Sequence, residues 1–177
     1  VTTTRIAEDA DYEGVRATFA GRLATTRISM QIDIGFSDVV TPGPVEISYP
    51  TILDYPAPVL RAYNRETVIA EKFDTMVSLG RLNSRMKDFF DVWLLASTSD
   101  FSGADLSAAI LATFRRRGTE LNAVPQAFED DFLFDPSKRS QWTGFLKRMR
   151  PSEAPSTFSD ALISIRAFLQ PVHEALC

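Results

Sequence analysis

The sequence predicts an α+β fold, a small sheet followed by a helical portion, and three observations carry that reading. β-Branched and alternating runs crowd the first third of the chain. Apolar residues at helical spacing dominate from Arg65 onward, and a proline-rich stretch separates the two regimes. Strands first and helices after favour a sheet packed by helices over a doubly wound parallel sheet. With 177 residues, the chain is expected to form a single domain, with residues 1–63 mainly strand and loop and residues 64–177 mainly helix. A chain of that length buries roughly 70% of its unfolded surface, enough for a core.

Val1–Ala7, Val15–Phe19 and Ile28–Phe36 read as strands, broken by Asp9-Ala10-Asp11 and by Gly21. In the third run Ile28, Met30, Ile32, Ile34 and Phe36 alternate with Arg27, Ser29, Gln31 and Asp33. One face is therefore expected to meet the core, with Asp33 on the other. Prolines at 42, 44, 50, 56 and 58 exclude a regular helix between Thr41 and Pro58, which leaves an extended loop with one short strand at Val45–Tyr49.

Arg65–Leu79 carries Ile69, Phe73, Met76 and Val77 at helical spacing and stops at Gly80, a residue suited to a helix C-terminus. Ser84–Ser97 is apolar nearly all round, which predicts a central helix buried on several sides. Ala104–Arg117, ended by Gly118, Pro136–Met149 with proline at its start, and Thr157–Leu176 complete the helices. Pro151–Ser156 reads as a loop.

Composition bounds the function classes. A hydrophobic share of 45% and a charged share of 24% are those of a globular chain. The single cysteine, Cys177, excludes an intramolecular disulfide and a cysteine metal cluster, and it points to a reducing compartment. No apolar run approaches the ~20 residues that span a bilayer, and the start lacks the order of a signal peptide, so a cytoplasmic protein is expected. The net charge of -4 argues against tight, sequence-indifferent nucleic-acid binding while leaving room for a local basic groove. The sequence opens with Val in a strand-like run, which suggests the C-terminal part of a larger protein.

Three polar positions stand out. Asp33 lies mid-strand, where aspartate is disfavoured; it is either a solvated or ion-paired residue or a ligand for Mg²⁺, which prefers hard oxygen donors. Lys72 sits beside Phe73 at the edge of a buried stripe, so its stem packs while its ammonium is free to meet solvent or a phosphate. Arg85, Lys87, Asp88 and Asp91 crowd the first turns of the next helix. Asp88 and Asp91 share a face with Arg85 in reach, either as an intrahelical ion-pair cluster or as one wall of a polar site with Lys72.

Other residues read as structural. His173 has no second histidine or cysteine set to complete a zinc site and is expected at the surface. Arg115-Arg116-Arg117 ends a helix, where cations suit the dipole. Trp93 and Trp142 occupy core positions. Glu66 suits a first helical turn, Glu71 is placed to pair with a base, and Cys177 lacks an activating environment.

Four segments in order, Gln31-Ile-Asp-Ile-Gly-Phe, Tyr49-Pro-Thr-Ile-Leu-Asp-Tyr-Pro-Ala-Pro, Glu66-Thr-Val-Ile-Ala-Glu-Lys-Phe and Asn83-Ser-Arg-Met-Lys-Asp-Phe-Phe-Asp, resemble the AbiEii family of nucleotidyltransferase-like toxins. The likeness is strongest from Gln31 to Leu95. It implies a toxin of a bacterial abortive-infection or toxin–antitoxin system, paired with an antitoxin, that transfers a nucleotide from a nucleoside triphosphate to an acceptor such as tRNA with Mg²⁺. It would make Asp33 a strand carboxylate beside the metal, Lys72 the lysine near the nucleotide phosphates, and Asp88 or Asp91 the acid of the fourth motif. The expected site is thus Asp33, Lys72, Asp88 and Asp91 for catalysis, Lys72 and Arg85 for the nucleotide, and Asp33 for the metal. The family's Gly-Ser followed by Asp-x-Asp, the main Mg²⁺ ligands, does not precede Asp33, and Asp9-Ala10-Asp11 reads as a turn. The chain is therefore expected to be inactive in this form, or to be a non-catalytic remnant that binds an antitoxin.

Overall fold

A computed structural model describes residues 1–7, 13–36, 38–121 and 125–177. Its backbone divides into two compact units, Val1–Asp38 and Val39–Cys177. The α+β class holds: every strand precedes Tyr63 and every helix follows Asn64.

The first unit is an antiparallel sheet of β1 (Thr2–Ala7), β2 (Glu13–Leu23) and β3 (Thr26–Gly35) in the order β1-β2-β3. Both later strands run longer than the sequence reading allowed. Gly21 does not break β2 but lies inside it, opposite Ile28, where a Cβ would fall 2.9 Å from the Met30 methyl. A strand glycine here marks close approach of a cross-strand side chain rather than a turn. The reversal comes at Ala24-Thr25, between the closing pair Leu23 and Thr26, with Ala24 at φ 53°.

The register puts Val15 opposite Ile34, Ala17 opposite Ile32 and Phe19 opposite Met30, so apolar side chains do share one face. The expectation that this face meets the core is corrected: Ile28, Met30, Ile32, Ile34 and Phe36 are all exposed. Alternation identifies which face is apolar; it carries no information on what covers that face.

In the second unit β4 (Val45–Ser48) pairs antiparallel with β5 (Val59–Ala62), and the proline-containing segment between them closes with Tyr49 N–H donating to Pro58 O at 2.9 Å. β5 is a strand the sequence reading did not anticipate; four residues between a proline and a helix cap are too few for a periodic signal. Asn64 then ties this hairpin to the first helix. Its side chain accepts from Thr67 N–H at 2.7 Å and donates to Thr41 O and Gly43 O at 2.8 and 2.9 Å.

The helices are α1 (Arg65–Leu79), α2 (Met86–Thr98), α3 (Gly103–Arg117), α4 (Asp130–Leu133), α5 (Pro136–Met149) and α6 (Phe158–Leu176). Their ends follow capping chemistry: Ser102 caps α3 and Gly118 ends it in the left-handed region, Asp135 caps α5, and Thr157 and Asp160 form a reciprocal capping box on α6. Gly80 ends α1 at φ 47°, in the left-handed region that favours glycine, with the Gln126 side chain packed where a Cβ would lie. The short α4 and a 3-10 turn at Gln126–Phe128 escaped the sequence reading because three or four residues hold no full helical period.

The core joins α1, α2, α3, α5 and α6. Phe73 is fully buried, its ring 5.5 Å from Phe114, 5.8 Å from Phe128 and 5.8 Å edge-on from His173. Trp142 is buried against Phe145 and Phe158 and donates Nε1–H to Pro155 O at 3.1 Å. Two expectations are corrected. α2 buries only Met86, Phe89 and Val92, while Phe90, Trp93 and Leu95 are partly buried at the core's edge, so α1 is the more enclosed helix. His173 is not at the surface but in the core, because the helical period of α6 places it on the stripe with Ile165 and Leu169. Among the described residues no helix is long and apolar enough to cross a membrane.

Candidate functional site

Lys72 projects from the rim of α1's buried stripe toward α2, where the first two turns carry acids one helical period apart. Its ammonium donates to Asp88 Oδ1 at 2.6 Å and lies 2.9 Å from Asp91 Oδ2. All three side chains are mostly enclosed, between 16% and 20% exposed. The expected meeting of Lys72, Asp88 and Asp91 is therefore present within the second unit. Burial alone would lower the lysine pKa, but hydrogen bonds and charge from Asp88 and Asp91 outweigh it and hold the group above its ordinary value. The cation is fixed across the neutral range. Its contribution to stability is fully present below the unfolded lysine pKa and is lost as pH rises through the higher folded value.

Pairing on α2 differs in one respect from the sequence reading. Lys87 reaches Asp91 at 2.6 Å along the helix, but the partner of Asp88 is Lys72 rather than Arg85. Arg85 occupies the N-cap position of α2 without a side-chain cap bond, and it makes no ion pair among the described residues. The turn that sets α2 in place is held from behind. Asn83, fully buried, accepts from Arg85 N–H at 2.9 Å, and buried Lys138 donates to Arg81 O and Asn83 O at 2.8 and 2.7 Å while lying 5.1 Å over the Phe132 ring. Sequence reasoning missed Lys138, since a lysine in a polar run gives no sign that its ammonium will be enclosed.

Asp33 belongs to the first unit, on the polar face of β3 opposite Arg16. Arg16 grips both carboxylate oxygens, Nε at 2.8 Å and Nη2 at 2.9 Å, and Gln31 Nε2 adds bonds at 3.1 Å. The Arg16 guanidinium holds the Asp33 carboxyl below the usual carboxylate value, with Gln31 adding to the effect. Between the two alternatives for this residue, the geometry is that of an ion-paired strand carboxylate. Both oxygens are committed to donors, and among the described residues no three His, Cys, Asp or Glu side chains gather to hold a metal ion. Asp9 and Asp11 lie outside the described residues.

Other positions take structural roles. Arg117, in the last turn of α3, reaches Asp74 at 3.2 Å and Glu71 at 3.7 Å, while Asp74, also bonded by Thr119, is buried and has its carboxyl pushed up by that burial. Cys177 Sγ lies 2.8 Å from Leu121 O and 3.6 Å from His173 Nε2. Between the first turn of α2 and α5 lies an open cleft of about 610 Å³, whose floor includes the core residues Met86 and Phe145. Asp88 and Arg85 line it together with Lys87, Gln141 and Arg148. Gln141 belongs to the Gln141-Trp142 pair, one of the later segments that also resemble the family, whereas nothing in the sequence singled out Arg148.

Fold and cluster together describe an α+β protein whose polar site is assembled by a lysine and two carboxylates from consecutive helices. The chain belongs to the AbiEii family, described as "Nucleotidyl transferase AbiEii toxin, Type IV TA system", whose match covers residues 1–164. It is thus a nucleotidyltransferase-like toxin of a type IV toxin–antitoxin system, a class that implies an antitoxin partner. The match extends well beyond the Gln31–Leu95 stretch in which the resemblance is most concentrated. No curated protein and no solved structure matches the chain.

Proposed function

We propose that the chain handles a nucleoside triphosphate for transfer of a nucleotide to an RNA acceptor such as tRNA, with Lys72 as the phosphate contact and Asp88 and Asp91 as the acids that hold it in place. One observation carries this reading: Lys72 is an enclosed cation fixed between two carboxylates that come from the two family segments separated along the chain. Such a cation is positioned in advance, so a phosphate that displaces one carboxylate finds it ordered. Which acid yields, Asp88 or Asp91, is set by the approach of the ligand. Arg85 adds a second cation at the start of α2.

No catalytic step is assigned to a metal, and residues 1–177 alone are proposed to turn over at background. The second reading, a non-catalytic module that binds an antitoxin, is favoured by the same observation at Asp33, whose oxygens are occupied by Arg16 and Gln31. Labelled nucleoside triphosphates, Mg²⁺ and total tRNA separate the cases. The chain and its Asp33→Ala variant are expected to give equal, background labelling, while the chain preceded by a Gly-Ser and Asp-x-Asp segment labels RNA in a manner lost with Lys72→Met. Robust labelling by the chain that disappears in Asp33→Ala would show that Asp33 does hold a metal. Failure of the extended chain to label RNA would favour the binding module.

A further inference from the structure

We propose that the chain pairs with a second copy of itself, the acidic turn around Phe134 of one copy seating in the basic cleft between α2 and α5 of the other. The inference goes beyond the proposed function and uses neither a nucleotide nor Lys72.

One half of the contact is a knob. Residues 129–135 run Glu-Asp-Asp-Phe-Leu-Phe-Asp, four acids around three apolar side chains. Phe132 is buried and Leu133 packs on the core, but Phe134, where α4 ends, stands 63% exposed. Close by in the chain, the Asp130 and Asp131 side chains are 82% and 80% exposed. Their bonds to Arg166 and Arg81, at 3.5 and 3.4 Å, are long and solvated and hold the carboxylates weakly, while Arg81 makes its shorter contact, 2.9 Å, with Glu129. A lone exposed ring is ordinary surface. This one is distinguished by a cleft of opposite character on the same unit.

The other half is that cleft. α5 carries no acid from Pro136 to Met149, and Arg139, Lys147 and Arg148 are exposed along it, with Arg150 following. In a chain of net charge -4 this is a local reversal of sign. The cleft has Arg85, Lys87 and Arg148 as its cations against one acid, Asp88, which is bonded to Lys72. Met86, Phe145 and half-exposed Met149 supply apolar surface, and nothing lies within 4 Å of a Cβ built on Gly144, so the α5 side is open. An aromatic ring meets thioethers inside, and its flanking carboxylates meet cations at the rim.

One copy does not fill its own cleft. Phe134 lies before the first residue of α5, whereas Gln141, Gly144, Phe145, Arg148 and Met149 line the cleft from the helix's second half. At 1.5 Å per residue the two are ~10 to 20 Å apart along the axis. Two copies that exchange turns about a two-fold axis make the contact twice and close the pair. An RNA backbone would meet the same cations but leave the apolar floor and the Phe134 turn unused. Phe145, the ring among the described lining residues, is buried and offers no platform for a base.

Sedimentation of the whole chain at low salt is expected to show a concentration-dependent dimer that dissociates as salt rises. Arg148→Glu and Asp131→Lys, both at exposed positions, should each raise its dissociation constant about tenfold or more by setting like charges against one another. Phe134→Ser should weaken the dimer and leave its salt dependence unchanged. Mixing the Arg148→Glu chain with the Asp131→Lys chain should recover association, because the altered cleft of one meets the altered turn of the other and their unaltered halves also match. Misfolding of either variant would not produce that rescue. A parent that stays monomeric, a dimer indifferent to both charge reversals, or a mixture that stays apart would each overturn the proposal. So would a monomeric parent that binds a short oligoribonucleotide through Arg148, which would make the cleft an RNA surface.

Discussion

Replacing Phe73 with alanine is expected to destabilise the second unit by about 3 to 5 kcal/mol, the range for deleting a fully buried aromatic ring. Phe73 has no exposed surface, and three rings meet it from separate elements: Phe114 of α3, Phe128 of the 3-10 turn and His173 of α6. The vacated volume borders parts of the chain that cannot all collapse inward at once, which keeps the loss near the upper half of the range. Trp93→Ala, on a ring only partly buried at the edge of the core, should cost about half as much despite removing more atoms. Chemical denaturation of both variants checks the order. Equal losses would mean that α2 is as enclosed as α1.

Lys138→Met is expected to cost about 2 to 4 kcal/mol, from two charge-assisted hydrogen bonds lost and two carbonyls left without a donor. The ammonium is enclosed at 3% residue exposure and bonds Arg81 O and Asn83 O, the two carbonyls that flank Leu82 in the connection from α1 to α2. Methionine keeps most of the stem's volume, so the loss reports the polar bonds rather than a cavity. The exposed neighbour Arg139→Ala should fall within about 0.5 kcal/mol of the parent. A Lys138→Met variant as stable as Arg139→Ala would mean that water replaces the ammonium without cost.

The helices were legible because their signals are local and repeated. Arg65–Leu79 and Pro136–Met149 were bounded to the residue by apolar spacing together with Gly80 at one end and Pro136 at the other. Burial was less legible, since it depends on packing partners. His173 looked isolated in sequence but falls on the core stripe of α6, and the apolar face of β3 is exposed although its alternation is regular. Lys72, Asp88 and Asp91 could be brought together in advance because each lies at the edge of a recognisable stripe. Asp33 could not be decided, because its partner Arg16 is set by strand register, and register is invisible until the turn at Ala24-Thr25 is placed.

The central claim is that Lys72, held between Asp88 and Asp91, is a phosphate contact and not only a structural ion pair. Its most direct test compares the affinity of a labelled nucleoside triphosphate for the parent chain and for Lys72→Met, without Mg²⁺ and over a range of salt. The account predicts weak binding that falls as salt rises, reduced about tenfold by the substitution, equivalent to about 1.4 kcal/mol, in a protein that remains folded. Equal affinity in the folded Lys72→Met variant would contradict it and leave Lys72 as a bridge between α1 and α2.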